Sequence, residues 1–298
     1  MRAGTLADPL ADLAEAELAR LARIADPLLA GRALLQPGQR PARARAGSGI
    51  EFLDYREYAA GDDPRGLDWR ATARSRAPQV RRYRDESSSD WFVCLDASRS
   101  MQAVEHSKWL LAVQLAACLS YVLLHLGNRV SVLLFSERVT RRCPLGRGRF
   151  QYARITRFLR EVEPRGGRAD IRATLSNAGA RNPIIVVSDF LAEDAHQAEL
   201  AALLASGRAV HALQVLDRAE VETYTTGPLT LRDMEDGAAL AVADAGGAAR
   251  GAAERLGLLQ ADLTAFCRAH AVPFTTCWTA AGWKPALLEH LRNLRGRR

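Results

Sequence analysis

From Trp91 onward the chain alternates short, nearly continuous apolar runs with longer stretches of helical periodicity, which restricts its fold more than anything else in it. The runs Trp91–Leu95, Arg129–Phe135, Pro183–Ser188, Ala209–Leu216 and Val272–Trp278 read as strands, with an edge strand near Val139–Cys143. Between them the periodicity predicts helices at about 108–126, 150–162, 170–180, 194–206, 248–270 and 285–295. Gly127-Asn128 is a stop signal for the first of these. A strand that is apolar at consecutive positions is buried on both faces. Such strands joined by helices imply an α/β fold, a doubly wound and mostly parallel sheet covered on both sides. Ligands of these sheets bind beyond the carboxyl ends of the strands, where the strand order reverses. Residues 227–244 interrupt the alternation: Leu229-Thr230-Leu231 and Ala239–Val242 flank Glu235-Asp236-Gly237, which predicts a β-hairpin insertion.

Two shorter regions precede this domain of residues 91–298. Residues 1–46 hold an N-terminal helix and a basic linker. Leu6, Leu10, Leu13, Leu18, Leu21, Ile24 and Leu28 fall at near-helical spacing, and Asp26-Pro27 is expected to end the helix. Residues 47–90 are polar and densely charged, with short strand-like pieces. The most apolar stretch, Leu110–Leu126, contains Gln114, Ser120 and His125 and reads as a buried helix, not a membrane span. No apolar signal segment opens the sequence, so a cytoplasmic location is expected, with any membrane association peripheral and through residues 6–30. Cys94, Cys118, Cys143, Cys267 and Cys277 lack C-x-x-C spacing and read as reduced core residues.

Asp96-Ala97-Ser98-Arg99-Ser100 follows the first strand of the domain directly. It offers a carboxylate and two hydroxyls at alternate positions, the oxygen-rich donor set that hard cations such as Mg2+ and Mn2+ favour. Asp189 stands at the same place after the strand that ends in Ser188. A longer charged segment runs from Tyr55 to Arg74, with Gly61-Asp62-Asp63-Pro64 as a turn. In it Arg56, Arg65, Arg70 and Arg74 interleave with Glu57, Asp62, Asp63 and Asp68. That pattern fits an ion-pair network docking the segment on the core with Trp69 as its apolar anchor; a partner surface or catalytic carboxylates are the alternatives.

These segments, with Tyr83-Arg84-Asp85-Glu86 and Ser188-Asp189-Phe190, closely resemble the DUF58 family, whose members carry R-x-Y-x-x-G-D-x-x-R-x-(I/L)-D-W-x-x-(S/T)-A-R ahead of a von Willebrand A-like domain. The resemblance implies a metal-ion-dependent adhesion site in which Asp96, Ser98, Ser100 and Asp189 hold Mg2+ or Mn2+. The usual G-G-T-D-L is here Gly166-Gly167-Arg168-Ala169-Asp170, so the expected hydroxyl is missing. Asp170 or water would have to replace it, and Arg168 would compete with the metal for the same carboxylates or point to solvent. The resemblance further implies a non-enzymatic protein-interaction module without a small-molecule substrate. Its partners would be a MoxR-type AAA+ ATPase and other von Willebrand A proteins, in the assembly or activation of client proteins. One alternative is a metal-dependent hydrolase or phosphotransferase using Asp96, Asp189 and Asp170. Another is a nucleic-acid or anionic-surface binder, because Arg138–Arg181 holds 12 Arg against Glu161, Glu163 and Asp170. Sparse aromatics and the lack of a recognition-helix motif argue against nucleic acid.

Overall fold

The structure is a computed structural model and describes residues 8–29, 51–58, 67–75, 77–84, 89–103, 105–174, 176–179, 182–191, 195–221, 229–232, 239–242 and 244–295. The chain divides into two compact units, one of residues 1–37 with 89–298 and one of residues 38–88. Helix α1 (Glu15–Leu29) belongs to the first. It runs past Asp26-Pro27, where a stop was expected. Pro27 lies in the last turn, where its missing N–H removes only one step of the ladder before the helix ends. Leu18, Leu21, Ala22 and Ala25 bury one face of α1 in the main core.

In the smaller unit, strands β1 (Glu51–Glu57) and β2 (Gln79–Arg84) pair antiparallel around a short helix α2 (Trp69–Arg74). The buried Asp68 caps α2: Oδ1 accepts the N–H groups of Arg70 (2.9 Å) and Ala71 (3.2 Å), and Oδ2 accepts the Tyr55 hydroxyl at 2.9 Å. Such a cap satisfies amide donors that the helix leaves orphaned. Trp69, expected as the apolar anchor, occupies the first helical position of α2 and is 72% exposed. Arg74 is also exposed at the end of α2. Asp62, Asp63, Arg65 and the Arg56 side chain, which would complete the ion-pair network, lie outside the described residues.

The larger unit is built on a six-stranded sheet of β3 (Asp90–Asp96), β4 (Arg129–Phe135), β5 (Val139–Gly146), β6 (Ile184–Ser188), β7 (Val210–Leu216) and β10 (Phe274–Trp278), while β8 (Leu229–Arg232) and β9 (Ala239–Val242) form a separate two-stranded sheet. The spatial order is β10-β7-β6-β3-β4-β5, and every pairing is parallel except that of β5 with β4. Successive residues of the central strands face opposite sides. Trp91, Val93 and Leu95 enter the core beneath α1, α3 (Ser107–His125), α4 (Gly148–Arg160) and α8 (Trp283–Arg295). Phe92 and Cys94 enter the core beneath α5 (Ala195–Ala205) and α7 (Ala245–Ala269). This is the doubly wound α/β sheet that the continuous apolar runs imply. All five cysteines are free and buried.

Helix α3 is long and apolar enough to cross a membrane, yet 83% of that stretch is buried within the protein itself. Gly127 ends it in the left-handed region (φ 81°), and the Asn128 N–H returns to the Leu123 carbonyl at 3.1 Å. The hairpin exists as β8 (Leu229–Arg232) and β9 (Ala239–Val242), in the register Leu229↔Val242 to Arg232↔Ala239; its predicted turn lies outside the described residues. The helix predicted at 170–180 is only a 3-10 turn, Ile171–Thr174. There the Thr174 hydroxyl bonds back to the Ile171 carbonyl at 2.7 Å, and the turn-forming Ser176 and Asn177 follow, so side chains compete with the helical ladder.

Candidate functional site at the carboxyl ends of β3 and β6

The chain leaves β3 for β4 on one side and later returns to β6 on the other, so the strand order reverses at the carboxyl ends of β3 and β6. That reversal opens a crevice between two diverging connections. Asp96 closes β3 and Asp189 follows β6, both buried. Asp96 Oδ1 accepts the Ser98 N–H at 2.8 Å, and Oδ2 accepts the Ser188 hydroxyl at 2.5 Å. The hydroxyls of Ser98 and Ser100 lie 3.0 Å apart, Ser98 buried and Ser100 half-buried at the mouth. Phe190, next to Asp189, holds a left-handed backbone (φ 52°) with its side chain buried. A non-glycine residue in that region costs on the order of 1–3 kcal/mol and persists where its surroundings demand it. Here the Ser188 hydroxyl accepts the Phe190 N–H at 3.2 Å and Asp189 Oδ1 accepts that of Leu191 at 3.3 Å.

The cation of this site is Lys108, on the first turn of α3. Its side chain is 0% exposed, and its Nζ donates to Asp189 Oδ2 at 2.9 Å and to Glu220 Oε1 at 2.5 Å. Glu220 comes from α6 (Arg218–Val221), where its Oε2 accepts the Asp217 N–H at 3.3 Å. Asp217 extends the network by accepting from Ser107 Oγ at 2.7 Å, from Thr279 Oγ1 and from the Ala219 N–H at 2.9 Å. The electrostatics follow from burial and pairing. Burial, with the nearby Asp189 charge, pushes the Asp96 carboxyl up to about 6. Burial works against the charged form of Lys108, but Asp189 and Glu220 outweigh it and raise its pKa. Burial raises the Glu220 carboxyl despite Lys108. Burial also opposes ionisation of Asp217, but hydrogen bonds from Thr279, Ser107 and Ala219 prevail and hold it below the ordinary range.

The Gly166-Gly167 loop lies against this rim: the Gly166 N–H donates to the Ala97 carbonyl at 2.9 Å, and Ser98 and Gly166 form a parallel bridge. A Cβ at Gly166 would land on the Cβ of buried Ser136, so the loop sits this close only because the position is glycine. Gly166→Ala is expected to lower stability by about 1–3 kcal/mol in a urea titration, the usual range for overpacking; an unchanged midpoint would show that the loop is not seated there.

Of the residues expected to hold a metal, Asp96, Ser98, Ser100 and Asp189 come together, but Asp170 does not join them. Its carboxylate accepts the backbone N–H and the guanidinium of Arg172, at 2.9 and 3.1 Å. Thr174 is buried and committed to the Ile171 carbonyl, and Arg168 is exposed. Among the described residues no group of three or more His, Cys, Asp or Glu is placed to hold a metal ion. An ammonium sits against Asp189, and each Asp96 oxygen accepts one internal hydrogen bond, so the carboxylates of this set are already partnered within the chain. Lys108, Ser188, Asp217 and Glu220 were missed from the sequence. One signal for Lys108 was present: it and Lys284 are the only lysines among 41 basic residues, and it opens an otherwise apolar helix.

Fold and rim together define an α/β protein with a buried, charged polar site at the switch point of a mostly parallel sheet. Residues 54–260 match the family model described as "Protein of unknown function DUF58", and the chain belongs to that family. It is similar to the uncharacterized proteins Rv1480 of Mycobacterium tuberculosis and Mb1516 of Mycobacterium bovis. Each is 31% identical over 199 residues, which span 64% of this chain and 62% of the relative's length. Among solved structures it is similar to BatB of Bacteroides thetaiotaomicron, at 14% identity, 70% of this chain, 98% of that one and a TM-score of 0.42. The open conformation of the pilus adhesin SpaC of Lactobacillus rhamnosus GG is also similar, at 12% identity, 71% of this chain, 30% of that one and a TM-score of 0.44.

Proposed function

We propose that the chain is a protein-interaction module of von Willebrand A type that works beside a MoxR-type AAA+ ATPase in the assembly or activation of client proteins. The observation that carries this reading is the convergence of Asp96, Ser98, Ser100 and Asp189 at the switch point, with Ser100 at the mouth. The carboxylates there are held by internal partners, Asp96 by Ser98 and Ser188 and Asp189 by Lys108 and Leu191. A set of groups bound to one another in this way favours a shaped binding rim over acid–base turnover.

A second surface supports the same reading. On the outer side of α4, Phe150 is 75% exposed with Arg149 stacked 5.3 Å over its ring, and Arg154 and Arg157 are exposed on the following turns. Other arginines of the basic stretch are paired within the chain, Arg160 with Asp8 at 3.0 Å and Arg165 with Glu163 at 2.6 Å. We assign the α4 face to the electrostatic attraction of an acidic partner surface.

The test is sedimentation of the purified chain with a MoxR-type ATPase, together with the ATPase rate. A saturable complex is expected. Ser100→Tyr, which obstructs the mouth, should weaken it at least about tenfold, or 1.4 kcal/mol. Association should slow as salt rises and in the Arg154→Glu/Arg157→Glu variant. No complex, combined with phosphatase or esterase turnover lost in Asp96→Ala, would replace this reading with the hydrolase.

A further inference from the structure

We propose that Lys108 is a resident cation standing where a domain of this type holds a divalent metal, so that the rim is built and binds its partner without any metal ion. The inference rests on reading the rim as a von Willebrand A-type site and concerns how that site is charged.

Three independent observations point the same way. The first is position: a fully buried ammonium lies 2.9 Å from Asp189 and 2.5 Å from Glu220, just beyond the carboxyl end of β6. A compact ammonium with three donors on a flexible stem can enter a pocket between carboxylates that a planar guanidinium cannot. In a chain whose other basic residues are arginine apart from Lys284, the lysine falls where that compactness is required. The second is the approach of the chain. Glu105 and His106 take successive left-handed conformations (φ 52° and 65°) immediately before α3, so unfavourable backbone geometry leads into the helix that carries Lys108. The third is the state of the remaining donors. The position that would supply a hydroxyl is Arg168, which is exposed, and the Asp170 carboxylate is turned to Arg172. A divalent ion would therefore have to displace a covalently tethered cation and recruit ligands that are already bound.

MnCl2 alone is the probe. For the wild-type protein, the expected result is no bound Mn2+ in an electron-paramagnetic-resonance titration and no difference in melting temperature between EDTA and millimolar Mn2+. Lys108→Ala empties the position and leaves the carboxylates. It should melt on the order of 10 °C lower in EDTA, and Mn2+ should recover part of that loss. The recovery should disappear in Lys108→Ala/Asp96→Asn. Stoichiometric Mn2+ binding by the wild type, abolished in Asp96→Ala, would overturn the inference. So would a folded Lys108→Ala protein that melts like the wild type. Should Lys108→Ala not fold, the wild-type titration decides alone. Partner binding separates the two readings: a complex that forms only with metal contradicts the resident cation and keeps the interaction module. No complex in either condition removes the module and leaves the Mn2+ result standing.

Discussion

Lys108→Met should lower the free energy of unfolding by about 3–5 kcal/mol, the range seen when one partner of a buried ion pair is removed. Methionine preserves most of the volume and rotamer reach of lysine, so the loss isolates the charge. Asp189, at 5% side-chain exposure, and Glu220, at 17%, would keep their carboxylates with no counter-charge. Neither has a cheap escape to water, because Asp189 is fixed behind the strained Phe190 and Glu220 is tied to the Asp217 N–H. The pair of changes Lys108→Met/Asp189→Asn should therefore cost less than Lys108→Met alone, since it removes one of the stranded charges. Lys108→Arg should also destabilise, by about 1–3 kcal/mol, because it keeps the charge but overfills the pocket. Urea denaturation of the four proteins checks the set. If Lys108→Met unfolded at the wild-type midpoint, the ammonium would not be buried against these carboxylates.

The second large effect has the opposite sign. Asp96→Asn should make the protein more stable at pH 7, by about 1–3 kcal/mol, and the gain should vanish near pH 4. Burial, reinforced by the Asp189 charge, raises the folded-state pKa of Asp96 to about 6 from an ordinary 3.8. Between those values the folded protein binds more protons than the unfolded chain, so this group makes stability fall as pH rises from 3.8 to about 6. Above that window the cost is fully present; below it the group contributes nothing. Asparagine carries no charge to bury and keeps an oxygen for the Ser98 N–H and an amide facing Ser188. Denaturation at several pH values between 4 and 7 checks both sign and window. An asparagine variant that is less stable at pH 7 would mean that the Asp96 charge is compensated, as a bound divalent cation would compensate it.

The fold was largely legible because burial on both faces leaves a direct trace in composition. Val93, Cys94 and Leu95 are apolar in succession only because the sheet is covered on each side, and the same holds for Ile184–Val187. The edge strand β5 was legible as well, through its weaker apolar pattern. The segment after Asp170 was not, since its helical periodicity is overridden locally by the Thr174 hydroxyl. Half of the rim could be read because Asp96, Ser98 and Ser100 are close in sequence. Lys108 could not, because its partners lie 81 and 112 residues away and its role appears only when α3 and α6 meet the end of β6.

The most direct measurement is a crystal structure of the protein soaked in MnCl2, with anomalous differences collected for manganese. The expected map has no peak between Asp96 and Asp189, and Lys108 Nζ lies within hydrogen-bonding distance of the Asp189 and Glu220 carboxylates. A manganese peak liganded by Asp96 and Ser98, with the Lys108 side chain displaced from the site, would contradict the resident cation.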